Sequence, residues 1–115
     1  MNQNRVRKVI IYGDDFWEFY DKQSPKIKSR IDWTIRLVSE IKNIPERYFK
    51  HITGTDLYEL RIISGNNIYR VFCFFDKGNL IVVLNGFQKK SQKTPRNEIK
   101  RALKLKEKYY EEKSK

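Results

Sequence analysis

The sequence predicts an α+β fold in which a twisted, mainly antiparallel sheet packs against helices, in the order β-α-α-β-β-β-α. A long segment with apolar residues at helical spacing occupies the first half of the chain, three β-rich segments separated by turn residues follow it, and an amphipathic helix ends it. We expect the helices to lie on one face of the sheet. The 115 residues predict a single domain, 1–115, because so short a chain holds one core.

The first half of the chain carries clear start and stop signals. Residues 5–12 are rich in β-branched side chains and stop at a glycine, which predicts a strand, and the pair Asp14–Asp15 then caps a short helix. Ser24 before Pro25 predicts the start of a long helix, because serine caps free amides and proline fits the first turn. We expect this helix to end near Asn43. Its apolar stripe consists of Ile27, Ile31, Ile35, Val38 and Ile41.

The second half predicts hairpins and a closing helix. Residues 45–55 have no clear period, so we expect a loop there with a short extended piece. Three β-type segments follow at 57–63, 68–75 and 80–87, and the turn residues between them predict tight antiparallel hairpins. The middle segment is apolar on both sides towards its end, which predicts the centre of the sheet. An apolar stripe over 97–112 predicts the last helix.

The charge of the chain points to a polyanionic partner. The formal net charge is +11, from 25 Lys and Arg against 14 Asp and Glu, and most of it lies in the last thirty residues. A basic domain attracts polyanions, so nucleic acid is the first partner to consider. The alternative is a lysine-rich helix that is simply solvated. No apolar run approaches the ~20 residues that cross a bilayer, and the N-terminal residues lack the apolar region typical of a signal peptide, so we expect a cytoplasmic protein with no membrane partner.

Metal and nucleophile chemistry have few candidate residues. A single cysteine, Cys73, and a single histidine, His51, cannot form an internal disulfide or the usual zinc site, so we expect no metal and no other cofactor. Cys73 fits a core position in the central strand. His51 lies in a basic, aromatic loop, where it is either an exposed side chain or a general base.

Four cations near the ends of the predicted strands suit phosphate chemistry. If the hairpins pair as predicted, Arg61, Arg70, Lys89 and Lys90 converge at one end of the open face. Arginine binds phosphate through two parallel hydrogen bonds, and lysine among other cations becomes a better proton donor. Such a cluster stabilises the negative charge that develops when an RNA backbone is cut. The alternative is a set of solvated charges at strand ends.

Four further residues are candidates for RNA contacts. Lys50, Lys93 and Arg96 would hold the phosphate backbone, and Tyr58 would offer a ring on which a base stacks. Core packing is the alternative role for Tyr58.

Several segments in combination resemble the RelE/ParE toxin superfamily, and within it the HigB-type, phage-derived Gp49-like branch. The resemblance spans about residues 5–110 and is carried by LYELR at 57–61, YRVF at 69–72, LNGFQKKSQKTP at 84–95, Glu98 and Ala102. It implies a compact RelE-like (microbial RNase-like) fold. It also implies a bacterial type II toxin that cuts mRNA in the ribosomal A site without a metal, by attack of the 2′-hydroxyl on phosphorus.

The resemblance also implies roles for single residues. Arg61 and Arg70 match the basic residues that bind the scissile phosphate, and the Lys89–Lys90 pair matches the one that stabilises the transition state or protonates the leaving oxygen. Glu59 stands where some relatives carry a lysine, and the C-terminal tyrosine or histidine of other members has no secure counterpart. The general base is therefore open, with His51 as the candidate.

The implied partners are mRNA, the ribosome and a cognate antitoxin. For this branch the antitoxin is commonly a helix-turn-helix protein, and we expect it to dock an acidic or amphipathic segment on the basic surface. Two other functions fit the same fold. One is a ParE-like poison of DNA gyrase that cuts no RNA, and the other is a basic nucleic-acid-binding module without toxicity.

Overall fold

A computed structural model describes residues 5–90 and 95–115 of the chain. Its elements, in chain order, are β1 Lys8–Ile11, α1 Asp15–Asp21, α2 Pro25–Glu40, β2 Phe49–His51, β3 Leu57–Ser64, β4 Asn67–Phe75, β5 Leu80–Lys89 and α3 Arg96–Lys113. The α+β class is confirmed. The short extended piece expected within 45–55 is a strand, β2, so the sheet has five strands and not the four that were predicted. The observed order is therefore β-α-α-β-β-β-β-α.

The five strands form one mixed sheet in the order β1-β5-β4-β3-β2. β1 runs parallel to β5, and the other neighbours are antiparallel. β4 is therefore the central strand, as predicted. The hairpins also form as predicted, and Gly65 and Gly78 take the positive φ angles of 59° and 54° that their turns require.

The prediction that all helices lie on one face of the sheet is wrong for α3. α1 and α2 pack on a face that includes Leu60, Val71 and Val83, whereas α3 packs on the opposite face against Phe74 and Leu84. The reason is that β3, β4 and β5 bury apolar side chains on both faces, and each such side chain contributes about 1.5–3 kcal/mol only when something covers it. None of the helices in the described parts of the chain is long and apolar enough to cross a membrane.

The long helix α2 begins where the sequence predicts and ends earlier. The hydroxyl of Ser24 accepts a hydrogen bond from the amide of Ile27 at 3.3 Å. The helix ends at Glu40, short of the predicted end near Asn43. Free carbonyls at this end are satisfied by one arginine, because the guanidinium of Arg7 donates hydrogen bonds to the carbonyls of Val38 at 3.0 Å, Ile41 at 2.7 Å and Lys42 at 2.8 Å.

The C-terminal end of α3 is fixed to the turn between β4 and β5 through Asp76. Its carboxylate, 5% exposed, accepts hydrogen bonds from the hydroxyls of Tyr109 at 2.7 Å and Tyr110 at 3.3 Å and from Nζ of Lys113 at 2.5 Å. These donors hold the pKa of Asp76 below its ordinary value. α3 therefore covers one end of its face of the sheet and leaves the other end for polar side chains.

Candidate functional site

The strand registers bring three of the four predicted cations together, and Lys90 is the exception. Arg61 on β3 pairs directly with Arg70 on β4, so their side chains lie on the same face. Arg70 in turn pairs with Phe87 on β5, which places Lys89 two residues further along that face. Glu59 shares the face with Arg61 because residues two apart in a strand point the same way. The hairpin geometry thus assembles three cations and one carboxylate from three neighbouring strands.

These four side chains line a shallow pocket of about 260 Å³ on the α3 side of the sheet, and no residue of α3 lines it. The edge strand β2 and the residues after it complete the wall. The lining residues are Lys50, His51, Ile52, Thr53, Glu59, Arg61, Arg70 and Lys89. The described lining residues carry four Lys and Arg cations against a single carboxylate, so the pocket attracts anions.

A buried ion pair forms one wall of the pocket. Nη1 of Arg70 lies 2.5 Å from Oε1 and 2.6 Å from Oε2 of Glu59, and the two side chains are only 4% and 5% exposed. Removing one partner from such a pair typically costs about 3–5 kcal/mol, because the other charge is left buried alone. The pair therefore fixes the position of both side chains.

Arg61 is held less tightly than Arg70. Its Nε lies 3.8 Å from Oε1 of Glu59, and its side chain is 26% exposed. The Nε atoms of Arg61 and Arg70 are both buried, and neither has a hydrogen-bond partner among the described residues. One carboxylate cannot accept hydrogen bonds from all the N–H groups of two guanidinium groups, so some of these donors have no acceptor. A bound phosphate would supply the oxygen acceptors that guanidinium groups prefer.

Lys89 is half-buried beside these two arginines. Burial, and after it the positive charge of Arg70, lowers the pKa of Lys89 below the ordinary value of a lysine. The carboxylate of Glu59 opposes this shift, while Arg61 and Lys50 add to it. Lys89 therefore gives up a proton more readily than a solvated lysine does.

The other predicted site residues lie outside this cluster or at its rim. Lys90 is exposed, follows the end of β5 and does not line the pocket, and Arg96 is exposed at the first residue of α3. Lys50 lines the pocket from β2, where its backbone lies opposite that of Glu59 on β3. Lys93 lies outside the described residues.

His51 and Tyr58 lie against each other at the edge of the sheet. Their ring centroids are 5.1 Å apart. Tyr58 packs with the side of the sheet that α1 and α2 cover, and it stacks on Phe49 at 5.0 Å with an angle of 6° between the rings. His51 is exposed, and its Nε2 donates to the carbonyl of Thr55 at 2.6 Å, since a carbonyl can only accept. Tyr58 therefore packs against the core, which is the alternative to a role in stacking on an RNA base.

The residue that sequence reasoning missed is Glu59. The sequence marks it as a departure from relatives with a lysine, yet the structure makes it the partner of Arg70 inside the pocket. One signal was available, because a carboxylate two residues before Arg61 in a strand lies on the same face and next to its charge.

Metal ligands and activated thiols are not part of the described site. No group of three His, Cys, Asp or Glu side chains lies close enough to hold a metal ion anywhere in residues 5–90 and 95–115. Cys73 is fully buried in β4, as predicted, and burial raises the pKa of its thiol.

The sequence also matches a known family. Residues 18–107 match the family described as phage-derived protein Gp49-like (DUF891), and this span contains all four side chains of the cluster. No curated protein matches the chain. The Gp49-like family is RelE-like and is associated with the toxins of toxin–antitoxin systems. Because the match covers most of the chain, the protein belongs to this Gp49-like family.

Proposed function

We propose that this protein is the toxin of a type II toxin–antitoxin system and that it cuts mRNA on the translating ribosome. One observation carries the proposal: Arg61, Arg70 and Lys89 share a single pocket with more positive than negative charge. Membership of a toxin-associated family supports the biological role. The net charge of +11 supports a polyanionic substrate in a ribosomal environment.

The proposed reaction is a transfer within the RNA backbone. The 2′-oxygen of one ribose attacks the adjacent phosphorus, and the bond from phosphorus to the 5′-oxygen of the next nucleotide breaks. Arg61 and Arg70 bind the phosphate oxygens and stabilise the extra negative charge of the pentavalent transition state. Lys89 donates its proton to the leaving 5′-oxygen, a role that its lowered pKa favours. The products are a 2′,3′-cyclic phosphate and a free 5′-hydroxyl.

The remaining predicted residues would serve binding and not the chemical step. Lys50 at the pocket rim and the exposed Lys90 and Arg96 would contact the phosphate backbone on either side of the cut. A cognate antitoxin, of the helix-turn-helix type, would neutralise the toxin by placing acidic side chains against this surface.

The proposal is tested by inducing the protein in bacteria and mapping the 5′ ends of mRNA by primer extension, beside an assay with purified ribosomes. We expect cuts within translated codons that depend on ribosomes. Lys89→Ala and Arg61→Ala should remove the cuts. Lys77→Ala is the matched control, because it removes one positive charge from the exposed β4–β5 turn and leaves the pocket intact.

Other outcomes would overturn the proposal in distinct ways. Growth arrest with intact mRNA and induced DNA damage would favour a gyrase poison. Unaffected growth with intact mRNA would leave a basic nucleic-acid-binding module. If mRNA is cut but Lys89→Ala and Arg61→Ala cut it as fast as the control variant, the pocket is not the active site.

A further inference from the structure

We propose that Glu59 is the general base of this pocket and takes the proton from the attacking 2′-hydroxyl. The inference rests on the proposed function, since it names the group that completes the same reaction. Glu59 is the only carboxylate that lines the pocket among the described residues. It lies on the same face of the sheet as the two arginines that would bind the phosphate.

The carboxylate of Glu59 is held in place with acceptor capacity to spare. Both of its oxygens lie within 2.6 Å of a single nitrogen, Nη1 of Arg70. An ionised carboxylate offers about four acceptor positions, so the ion pair leaves positions on both oxygens unused. Because the side chain is buried, its rotamer is fixed by packing and not by solvent. A phosphate bound by Arg61 and Arg70 would bring its neighbouring ribose to this carboxylate.

His51, the base candidate from the sequence, is placed less well. It lines the pocket from the edge strand β2, but its ring packs against Tyr58 and its Nε2 is already bonded to the carbonyl of Thr55. Only Nδ1 could then act as a base, at an exposed edge of the sheet. Glu59 instead lies among the cations that hold the phosphate.

The complete step balances without a co-reactant. The proton of the 2′-hydroxyl passes to a carboxylate oxygen of Glu59 as the bond between the 2′-oxygen and phosphorus forms. The bond between phosphorus and the 5′-oxygen breaks, and its electron pair takes the proton of the Lys89 ammonium. Afterwards the carboxylic acid returns its proton to solvent and Lys89 is protonated again, so the enzyme is restored.

The competing role for Glu59 is that of a counter-ion that only holds Arg70. The two roles differ in what they require of the side chain. A counter-ion needs a negative charge in contact with the guanidinium. A general base also needs a free oxygen at the attacking hydroxyl, and its loss cannot be compensated by a better leaving group.

The test measures single-turnover cleavage of RNA in ribosome complexes by wild-type protein, Glu59→Gln, Glu59→Asp and Lys89→Ala. A general base typically contributes about 10²–10⁴-fold, so we expect Glu59→Gln to lose that much while binding a 2′-deoxy substrate as tightly as wild type. Glu59→Asp should regain part of the rate because it restores a carboxylate. A substrate with sulfur at the 5′-bridging position should rescue Lys89→Ala, whose missing proton it no longer needs, and not Glu59→Gln.

Several results would overturn the inference and leave the proposed function standing. They are cleavage by Glu59→Gln near the wild-type rate, rescue of Glu59→Gln by the 5′-sulfur substrate, and a folded Glu59→Asp that is no faster than Glu59→Gln. If Glu59→Gln does not fold, Glu59→Asp decides the matter, because a wild-type rate with the shortened carboxylate contradicts a positioned base. Failure of the wild-type protein itself to cut RNA would overturn the proposed function instead.

Discussion

Two buried carboxylates on the α3 side of the sheet meet cations in opposite ways. Asp76, at the β4–β5 turn, accepts hydrogen bonds from three donors of α3, including one cation, Lys113. Glu59 accepts from one arginine and shares its pocket with three more cations. The charges of the Asp76 cluster cancel and its carboxylate has hydrogen-bond donors on both oxygens, whereas the pocket around Glu59 keeps an excess of positive charge. The difference separates a cluster that holds the fold together from one that is suited to bind an anion.

The titratable groups of the two clusters show the same contrast. The pKa of Asp76 is lowered because its donors stabilise the charged carboxylate, so the folded chain gains stability from that charge. The pKa of Lys89 is lowered because burial and neighbouring cations destabilise its charged form. The fold therefore tolerates an unfavourable charge at the pocket, which is typical of functional sites.

The largest effect should come from breaking the buried ion pair of the pocket. Arg70→Ala leaves the carboxylate of Glu59 buried without its partner, so we expect a loss of about 3–5 kcal/mol in the free energy of unfolding. Removing both charges with Arg70→Ala and Glu59→Ala should cost less than the sum of the two single changes. Urea unfolding of the four proteins measures the coupling. Additive losses would mean that the pair contributes nothing as a unit.

A smaller loss in the free energy of unfolding is expected at the Asp76 cluster. Asp76→Asn keeps the shape of the side chain and removes the charge, which should cost about 1–3 kcal/mol because a buried charged hydrogen-bond network is weakened. Cleavage of bound RNA should not change. Asp56→Asn is the matched control. The side chain of Asp56 is 87% exposed where it forms an ion pair with Lys106, and exposed ion pairs contribute about 0–1 kcal/mol.

The pH dependence of this loss has a definite sign. The folded pKa of Asp76 lies below the unfolded value, so its stabilisation is present above the unfolded value, ~3.9, and is lost as the pH falls through the folded pKa. The difference in unfolding free energy between wild type and Asp76→Asn should therefore shrink on acidification. A difference that stays constant from neutral to acidic pH would show that the charge of Asp76 is not the source of the stability.

The elements of the fold differ in how much of them the sequence encodes locally. The hairpins and the start of α2 were predictable because Gly65, Gly78 and Ser24 impose their geometry on the neighbouring residues. β2 has three residues and no period of its own, and it is a strand because it pairs with β3. The side on which α3 packs depends on apolar residues of β3, β4 and β5 acting together, which a reading of single segments does not reveal.

The same distinction applies to the pocket. The grouping of Arg61, Arg70 and Lys89 was predictable because tight turns fix the strand registers. The contact between Glu59 and Arg70 was not, because the residue directly opposite Glu59 is Phe72 and the ion pair runs diagonally across the strands. Such a contact depends on strand twist and on burial. The roles of these side chains in cleavage stay predictions.

The smallest expected effect concerns two adjacent lysines and defines the limit of the pocket. Lys89 lines the pocket, whereas Lys90 is exposed outside it. Lys90→Ala should weaken RNA binding and reduce the slope of log affinity against log salt by about 1, as expected for one lost phosphate contact. The rate of cleavage of bound RNA should be unchanged, in contrast to Lys89→Ala.

Titrations at several salt concentrations and single-turnover rates separate the two effects, with Lys77→Ala as the charge-matched control. If Lys90→Ala lowers the rate at saturating RNA as much as Lys89→Ala does, the chemical step extends beyond the pocket, and the contrast between a binding rim and a catalytic cluster fails.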